Sequence, residues 1–235
     1  MAISLAQAVV RQSGFNRFND AVDTVVLGGA VTTGNLVVVA IGIRSDNTAV
    51  AISTVATGSM SLASAVSLEH SDGGVHCISA IYYAIATGTN ATATVTLAGN
   101  WADTTSSLTI YEFAGNAAAS PLDDTSSGQT DGDTAFNSGN VDTTVADGCL
   151  VGVSISNDPV TFTIDADFTT NADDTGFSIA GYDLIGSTGT YSMANTADDF
   201  VNGTTCLAAF KSTGGGGGGT AVPVFTANLR RQGIL

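Results

Sequence analysis

Basic residues are scarce in this chain, which has six lysines and arginines against 21 acidic residues and a formal net charge of −15. Nucleic acids and anionic membranes both attract basic surfaces, so the charge disfavours both kinds of partner. Charged residues of either sign make up only 11% of the chain, well below the roughly 25% of an average domain. Thr, Ser, Asn, Gly and Ala must therefore cover much of the surface, which is typical of extracellular and virion β-proteins.

Cysteine is also scarce, with three residues, Cys77, Cys149 and Cys206, each in an apolar, strand-like run. An odd number at wide spacing does not fit the disulfide framework of a small secreted protein. No Cys/His spacing suits a zinc site. We therefore expect three buried free thiols that act as small hydrophobic side chains.

Long hydrophobic runs are missing. The longest, Leu36–Ile43, is far too short to span a bilayer. The first residues, Met1–Gln7, have neither the basic region nor the long apolar region of a signal peptide. We expect a protein that is made in the cytoplasm of its host and has no membrane segment.

Helical periodicity is missing as well, and short β-branched runs separated by Gly, Asn, Asp, Ser and Thr take its place. The run Leu36–Ile41 is continuously apolar, which predicts a central strand covered on both faces. The run Ala91–Leu97 alternates small or apolar residues with Thr, which predicts a half-buried strand. The pattern predicts an all-β protein, an antiparallel β-sandwich that is jelly-roll-like.

A loose two-fold repeat runs through the body of the chain. Its paired segments are Gly34–Gly42 with Asp147–Ser154, Ile81–Ala84 with Ile179–Tyr182, and Ile110–Phe113 with Cys206–Phe210. A duplication could build one large sandwich or two smaller ones from related halves, about 1–115 and 147–211. We favour one continuous β-sandwich body over 1–211, in which the polar link 115–147 crosses between sheets.

The last part of the chain differs from the body. Residues 1–210 hold all 21 acidic residues and three arginines, a net charge of −18, whereas 211–235 hold three basic residues and no acid. We predict a Gly-rich tether over 212–219 and an extended C-terminal anchoring arm over 220–235. The residues predicted to bind a partner are Val224, Phe225, Leu229, Arg230, Arg231, Ile234 and Leu235.

Five runs of the body carry a resemblance to a known group of proteins: Thr33–Ala40, Ile81–Ala84, Leu108–Gly115, Ser120–Asp123 and Leu150–Val153. They resemble jelly-roll-like β-sandwich structural proteins of tailed bacteriophages and prophages. The resemblance covers about 3–211 and leaves the tail out. It implies a role in capsid decoration, a fibre or a tail, and it carries no catalytic residues over.

The two histidines, His70 and His76, flank Asp72-Gly73-Gly74. With Glu69 and Asp72 they could form a metal site or an acid/base pair. The favoured interpretation is a β-hairpin in which the two histidines face each other on adjacent strands. No Gly-x-Ser-x-Gly motif is present, and we expect that the protein is not an enzyme.

Acidic residues cluster in polar loops, and Asp131-Gly132-Asp133 offers hard oxygen ligands for calcium. The sequence lacks the twelve-residue EF-hand pattern, so solvated turns are the favoured interpretation. The Gly-rich run also lacks the Lys-Ser/Thr of a phosphate loop. We expect no catalytic residue, no metal site and no cofactor.

Among the aromatic residues, Trp101 and Tyr82 are the candidates for a platform that stacks against sugar rings. The alternative for Trp101 is a loop residue that caps the end of the core.

The function expected from these observations is that of a structural virion protein of a tailed bacteriophage. We favour a capsid decoration or cement protein that attaches through its C-terminal arm to neighbouring major capsid or tail subunits and forms a homo-oligomer. The alternatives are a tail or fibre component and a carbohydrate-binding β-sandwich module.

Overall fold

The computed structural model describes residues 1–13, 22–46, 50–58, 60–99, 104–170 and 176–214. Within these ranges the chain forms antiparallel β-strands and no helix, so the prediction of an all-β protein is confirmed. None of the described segments therefore qualifies as a membrane-spanning helix. The strands are β1 (Ser4–Ser13), β2 (Val22–Val26), β3 (Leu36–Asp46), β4 (Val50–Thr57), β5 (Met60–Ser61), β6 (Ala63–Asp72), β7 (Val75–Ile85), β8 (Thr92–Gly99), β9 (Thr104–Ala114), β10 (Leu122–Asn137), β11 (Val141–Asp142), β12 (Cys149–Ser156), β13 (Phe162–Thr163), β14 (Thr169–Thr170), β15 (Ser178–Leu184), β16 (Thr190–Tyr191) and β17 (Ala194–Phe210).

The central sheet has five strands in the order β1-β9-β3-β7-β6. Its middle strand, β3, is buried along its whole length except at Asp46. Alternate residues of β3 enter two different hydrophobic clusters, because successive side chains of a strand point to opposite faces. The prediction that this apolar run forms a central strand covered on both faces is confirmed.

The outer sheet, with the order β2-β8-β4-β5, covers one face of the central sheet. Ala93 and Val95 of β8 are fully buried in the shared cluster, whereas Thr94 between them is only half-buried. The alternation predicted for this strand is confirmed.

The C-terminal sheet covers the other face of the central sheet. Its order is β10-β17-β12-β15-β14, with β13 pairing to β17, and β11 and β16 form a separate two-stranded ribbon. Cys149, Val151 and Val153 of β12 pack in one cluster with Leu36 and Val38 of β3.

The two large sheets share one strand order. In each half, the first, last, third, third-from-last and fourth-from-last strands lie side by side, as β1-β9-β3-β7-β6 in the central sheet and β10-β17-β12-β15-β14 in the C-terminal sheet. The second half has one strand fewer, eight against nine. The ribbon β11-β16 corresponds in the same way to the pair β2-β8 of the outer sheet. The paired segments of the sequence repeat lie on corresponding strands: β3 with β12, β7 with β15 and β9 with β17.

The strand register extends the correspondence between the two sheets to individual residues. Leu36 lies opposite Phe113 and Ile85, and Cys149 lies opposite Phe210 and Leu184. Two positions further along, Val38 lies opposite Tyr111 and Tyr83, and Val151 lies opposite Ala208 and Tyr182. Phe113 therefore corresponds to Phe210, and Tyr83 corresponds to Tyr182.

Contacts between the two sheets occur in exchanged pairs. Tyr83 packs edge-on against Phe210 with ring centroids 5.5 Å apart, and Tyr182 packs edge-on against Phe113 at 5.9 Å. A tyrosine of each half thus contacts the corresponding phenylalanine of the other half, as at a two-fold interface.

One prediction about chain organisation is wrong. The segment 115–147, expected to be a polar link between sheets, contains the sixteen-residue strand β10 and the short strand β11. β10 contains four aspartates and two glycines, residue types that are depleted in strands, so its strand conformation follows from pairing with β17 along Leu122–Asn137. The C-terminal sheet consequently begins at Leu122 rather than near 147.

Candidate interaction sites

The two histidines lie on a tight hairpin, as predicted. Gly73 and Gly74 connect β6 and β7, with φ of 57° and 92°, which glycine adopts without steric cost. The two histidines do not face each other, because this two-residue turn sets His70 opposite Cys77 and His76 opposite Ser71. Neighbouring register positions point to opposite faces of a sheet, so that part of the prediction is wrong.

Each histidine has its own carboxylate. His76 Nδ1 lies 2.7 Å from Glu69 Oε1, and His70 Nε2 lies 3.4 Å from Asp131 Oδ1. Among the described residues, no group of three or more His, Cys, Asp or Glu side chains is arranged to hold a metal ion.

Several acidic side chains accept hydrogen bonds from nearby backbone N–H groups. Asp123 accepts from the N–H and the hydroxyl of Thr144 at 2.7 and 2.6 Å. Asp133, in the loop weighed as a calcium site and interpreted as a solvated turn, accepts from the N–H groups of Thr134 and Ala135 at 2.6 and 3.2 Å. The bonds of Asp133 to the next two residues stabilise a local turn, whereas those of Asp123 join β10 to the segment after β11.

The three cysteines are free and buried, as predicted. Burial raises the pKa of Cys77 to about 12 and that of Cys206 to about 11, and it raises the pKa of Cys149 still further. The thiolate is the reactive form of cysteine, so these thiols are unreactive packing groups in the folded protein.

Glu112 is a buried carboxylate at one end of the central sheet, with 1% of its surface exposed. It accepts hydrogen bonds from Gln7 Nε2 at 2.5 Å, Asn35 Nδ2 at 2.6 Å and the N–H of Thr32 at 2.7 Å. Burial opposes its ionisation, but these three donors outweigh the burial, so the pKa of Glu112 lies below its usual value. The carboxylate ties the segment before β3 to strands β1 and β9.

Of the two residues proposed as sugar platforms, the structure describes only Tyr82. Trp101 lies outside the described residues. Tyr82 is half-buried and packs against the cluster between the central and outer sheets, and burial raises its pKa.

A polar cleft of about 260 Å³ opens at the edge of the outer sheet. It lies between the end of β4 and the segment that joins β7 to β8. Its lining residues are Val31, Thr57, Gly58, Met60, Thr87, Gly88, Thr89 and Asn90.

An exposed aromatic side chain marks one end of the molecule. In β17, the residues 197–200 have no partner in β10, because the pairing passes from Thr196 opposite Ala135 to Val201 opposite Asp133. Phe200 lies in this interruption and is 72% exposed. We call residues 197–202 the Phe200 bulge.

The Phe200 bulge is held in place by Asn202. Its Nδ2 donates to Asp72 Oδ2 at 2.6 Å, its Oδ1 accepts from the N–H of Gly132 at 2.6 Å, and its N–H donates to Asn157 Oδ1 at 2.9 Å. The side chain of Asn202 thus joins two segments of the chain, and its backbone N–H joins a third. A second brace comes from Asp198, whose carboxylate accepts the N–H of Thr161 at 2.7 Å.

Negative charge surrounds this bulge. Asp198 and Asp199 belong to it, Asp72 bonds to Asn202, and Asp131 and Asp133 flank the bonded Gly132. The bulge and the two segments bonded to Asn202 thus carry an exposed aromatic ring and five aspartates between them.

At the opposite end of β17, the two ends of the described body are bonded to each other. The Met1 amino group donates to Thr213 Oγ1 at 2.9 Å, and the N–H of Thr213 donates to the carbonyl of Gly115 at 2.8 Å. Lys211 and Ala117 are also bonded at 2.9 Å. Residue 214 therefore follows a segment fixed to the end of the first half.

The arm residues predicted to bind a partner lie outside the described residues: Val224, Phe225, Leu229, Arg230, Arg231, Ile234 and Leu235. The same is true of the tether from 215 onward.

Sequence reasoning did not single out Glu112, Phe200 or Asn202. Glu112 could have been found, because a lone acid inside the apolar run Ile110–Phe113 indicates a buried and hydrogen-bonded carboxylate. Phe200 follows two aspartates in a polar stretch, a signal that does not separate an exposed ring from a buried one.

These features define an all-β protein of antiparallel sheets, with an exposed aromatic bulge at one end and the fixed base of a C-terminal segment at the other. Comparison with protein-family models, with curated proteins and with solved structures finds no match for this chain.

Proposed function

We propose that the chain is a tandem of two related jelly-roll-like units, residues 1–115 and 122–211. In the first unit, successive strands β1 to β4 alternate between the central and outer sheets, as in a two-sheet Greek-key arrangement. The shared strand order and the exchanged Tyr–Phe contacts support a common origin of the units. Each unit is a β-sandwich in this proposal, and the C-terminal arm follows the second unit.

We further propose that the protein is a structural virion component of a tailed bacteriophage. The observation that carries this proposal is the fixed base of the C-terminal segment, where Thr213 is bonded to both Met1 and Gly115. A tether that begins at a rigid point confines its arm to a small volume, which raises the effective concentration for a neighbouring subunit. The arm carries Arg230 and Arg231 with no acid, whereas the body is strongly acidic.

Capsid decoration or cementing is the role we favour within this class. Such a protein needs a stable, inert body that is presented in many copies, and a high negative charge keeps such a body soluble. The three buried thiols with raised pKa fit an inert body.

The arm can be tested directly on particles. Virions produced with Arg230→Glu/Arg231→Glu should carry less than a tenth of the normal copies of this protein, counted by quantitative mass spectrometry. The matched control, Arg230→Lys/Arg231→Lys, keeps the charge and should retain most copies. Full occupancy with the glutamate variant would refute attachment through the arm.

The carbohydrate-binding module is the second candidate, and the polar cleft beside Thr57 and Asn90 is the observation that favours it. Isothermal titration against a panel of glycans tests this function. Binding that is lost in Asn90→Ala would place the glycan in the cleft, and binding lost in Trp101→Ala would place it on the predicted aromatic platform. The absence of binding to any glycan would reject the module.

A further inference from the structure

We propose that the arm, residues 220–235, binds the Phe200 bulge of a second copy of this chain, so that copies associate head to tail. The inference rests on the proposed attachment through the arm and adds the identity of the receptor. Three properties of the molecule support this receptor: an exposed ring, opposite charges and the distance that the arm must cover.

The bulge offers an apolar contact on a fixed frame. Phe200 is 72% exposed, more than any other described aromatic side chain, and the adjoining backbone is braced by Asn202 and Asp198. An aromatic side chain on a rigid support binds a partner with little loss of conformational entropy. The predicted arm supplies matching apolar residues, Phe225 and Leu229.

The charges of the two surfaces are opposite. Two aspartates lie in the bulge and three more lie in the segments bonded to it: Asp198 and Asp199, and Asp72, Asp131 and Asp133. The arm carries Arg230 and Arg231 and no acid. Arg–carboxylate pairs are strong and directional.

A buried histidine lies beside this acidic surface. His70 is nine-tenths buried, and its Nε2 lies 3.4 Å from Asp131 Oδ1 and forms no hydrogen bond with the part of the chain that the structure describes. A guanidinium that binds Asp131 would add a donor beside this buried nitrogen.

The distances favour a second copy over the same copy. Phe200 and Phe210 are ten residues apart in β17, a span of about 33 Å at roughly 3.3 Å per residue. About 11 residues separate Gly214 from Phe225, and a flexible chain of that length spans about 18 Å on average. The arm thus reaches a bulge stacked against its own base more readily than the bulge at the far end of its own body. Such a head-to-tail contact closes into a ring or continues as a filament.

Cross-linking on the full chain tests the receptor. Phe225→p-benzoylphenylalanine is incorporated into unlabelled protein, which is mixed with ¹⁵N-labelled protein of natural sequence and irradiated. We expect cross-links from position 225 to labelled peptides that contain Phe200. Cross-links confined to the same copy, cross-links to other surfaces, or no cross-link would overturn the proposal.

Sedimentation supplies the second measurement. Phe200→Ser should weaken self-association at least tenfold, whereas Val26→Ser, a matched change at a 54% exposed site in β2, should not. Self-association of the natural protein should also weaken as the salt concentration rises, because ion pairs are screened. If Arg230→Glu/Arg231→Glu abolishes association and Phe200→Ser does not, the receptor is wrong but arm attachment stands. If neither variant changes association, the arm does not bind a second copy and the receptor proposal is wrong, whereas attachment to particles is decided separately by the count of copies on virions.

Discussion

The two halves of the chain cover the outer faces of their large sheets differently. In the first half, the outer sheet of four strands packs against Val39, Ile41 and Ile110. In the second half, the corresponding face is covered by the ribbon β11-β16 and by long single side chains, among them Phe168 and Met193. One strand order therefore supports either a complete second sheet or a cover built largely from loops.

A single pair of positions shows how the second cover works. Val39 of β3 corresponds by register to Gly152 of β12. A Cβ atom on Gly152 would lie 2.0 Å from the sulfur of Met193. The missing side chain makes room for the methionine, which fills space that a packed sheet fills in the first half.

The inner faces of the two halves, in contrast, are closely matched. Phe113 and Phe210 are both buried and each contacts a tyrosine of the other half. This difference between inner and outer faces shows that the contact between the halves constrains the sequence more than the outer layer does.

The largest expected effects test this match. Phe113→Ala and Phe210→Ala should each lower the free energy of unfolding by about 3–5 kcal/mol, because each leaves a cavity at the interface between the sheets. Urea unfolding monitored by tyrosine fluorescence measures both values. Phe200→Ala, at the exposed bulge, is the matched control and should change stability by less than about 0.5 kcal/mol. A loss of unfolding free energy below about 1 kcal/mol at only one of the two buried positions would show that the two inner faces are not matched in energy.

An intermediate effect is expected at Glu112, which has no counterpart in the second half because Ala209 occupies the corresponding position. Glu112→Gln should cost about 1–3 kcal/mol at pH 7, because a charged acceptor of three hydrogen bonds is lost. Thermal or urea unfolding of the natural and variant proteins gives the difference.

The pH dependence of this difference has a definite sign. The pKa of Glu112 is lower in the folded protein than the usual value of 4.5. Its stabilising contribution is therefore complete above about pH 4.5 and disappears as the pH falls through the folded-state pKa. The stability gap between the natural protein and Glu112→Gln should narrow in that acidic range, and a gap that is constant down to pH 2 would contradict the assignment.

The smallest effects are expected at two corresponding serines, Ser79 of β7 and Ser178 of β15, and they should differ in sign. Ser79 donates a hydrogen bond to the Cys206 sulfur at 3.1 Å, whereas the buried hydroxyl of Ser178 has no hydrogen-bond partner among the described residues. Ser79→Ala should cost about 0.5–1 kcal/mol, and Ser178→Ala should be neutral or stabilise by about 1 kcal/mol. Equal losses of stability at both positions would show that the Ser178 hydroxyl forms a hydrogen bond in solution.

Strands that bury alternating or continuous apolar residues could be predicted from the sequence. The continuous run of β3 and the alternation of β8 each specify their environment through side-chain burial. The polar strand β10 could not be predicted in this way, because its conformation depends on a partner, β17, that is distant in the sequence. The Phe200 bulge likewise depends on Asn202, Asp72 and Gly132, which only the folded chain brings together.

The pairing of the first strand with the last in each half has a consequence for how the protein is made. Ser4 lies opposite Ala114, and Leu122 lies opposite Phe210. On the ribosome, neither β1 nor β10 can take its place until the end of its half has been synthesised. Contacts this distant in sequence slow folding, so we expect the nascent chain to fold in two late steps, with the first half complete before the second begins.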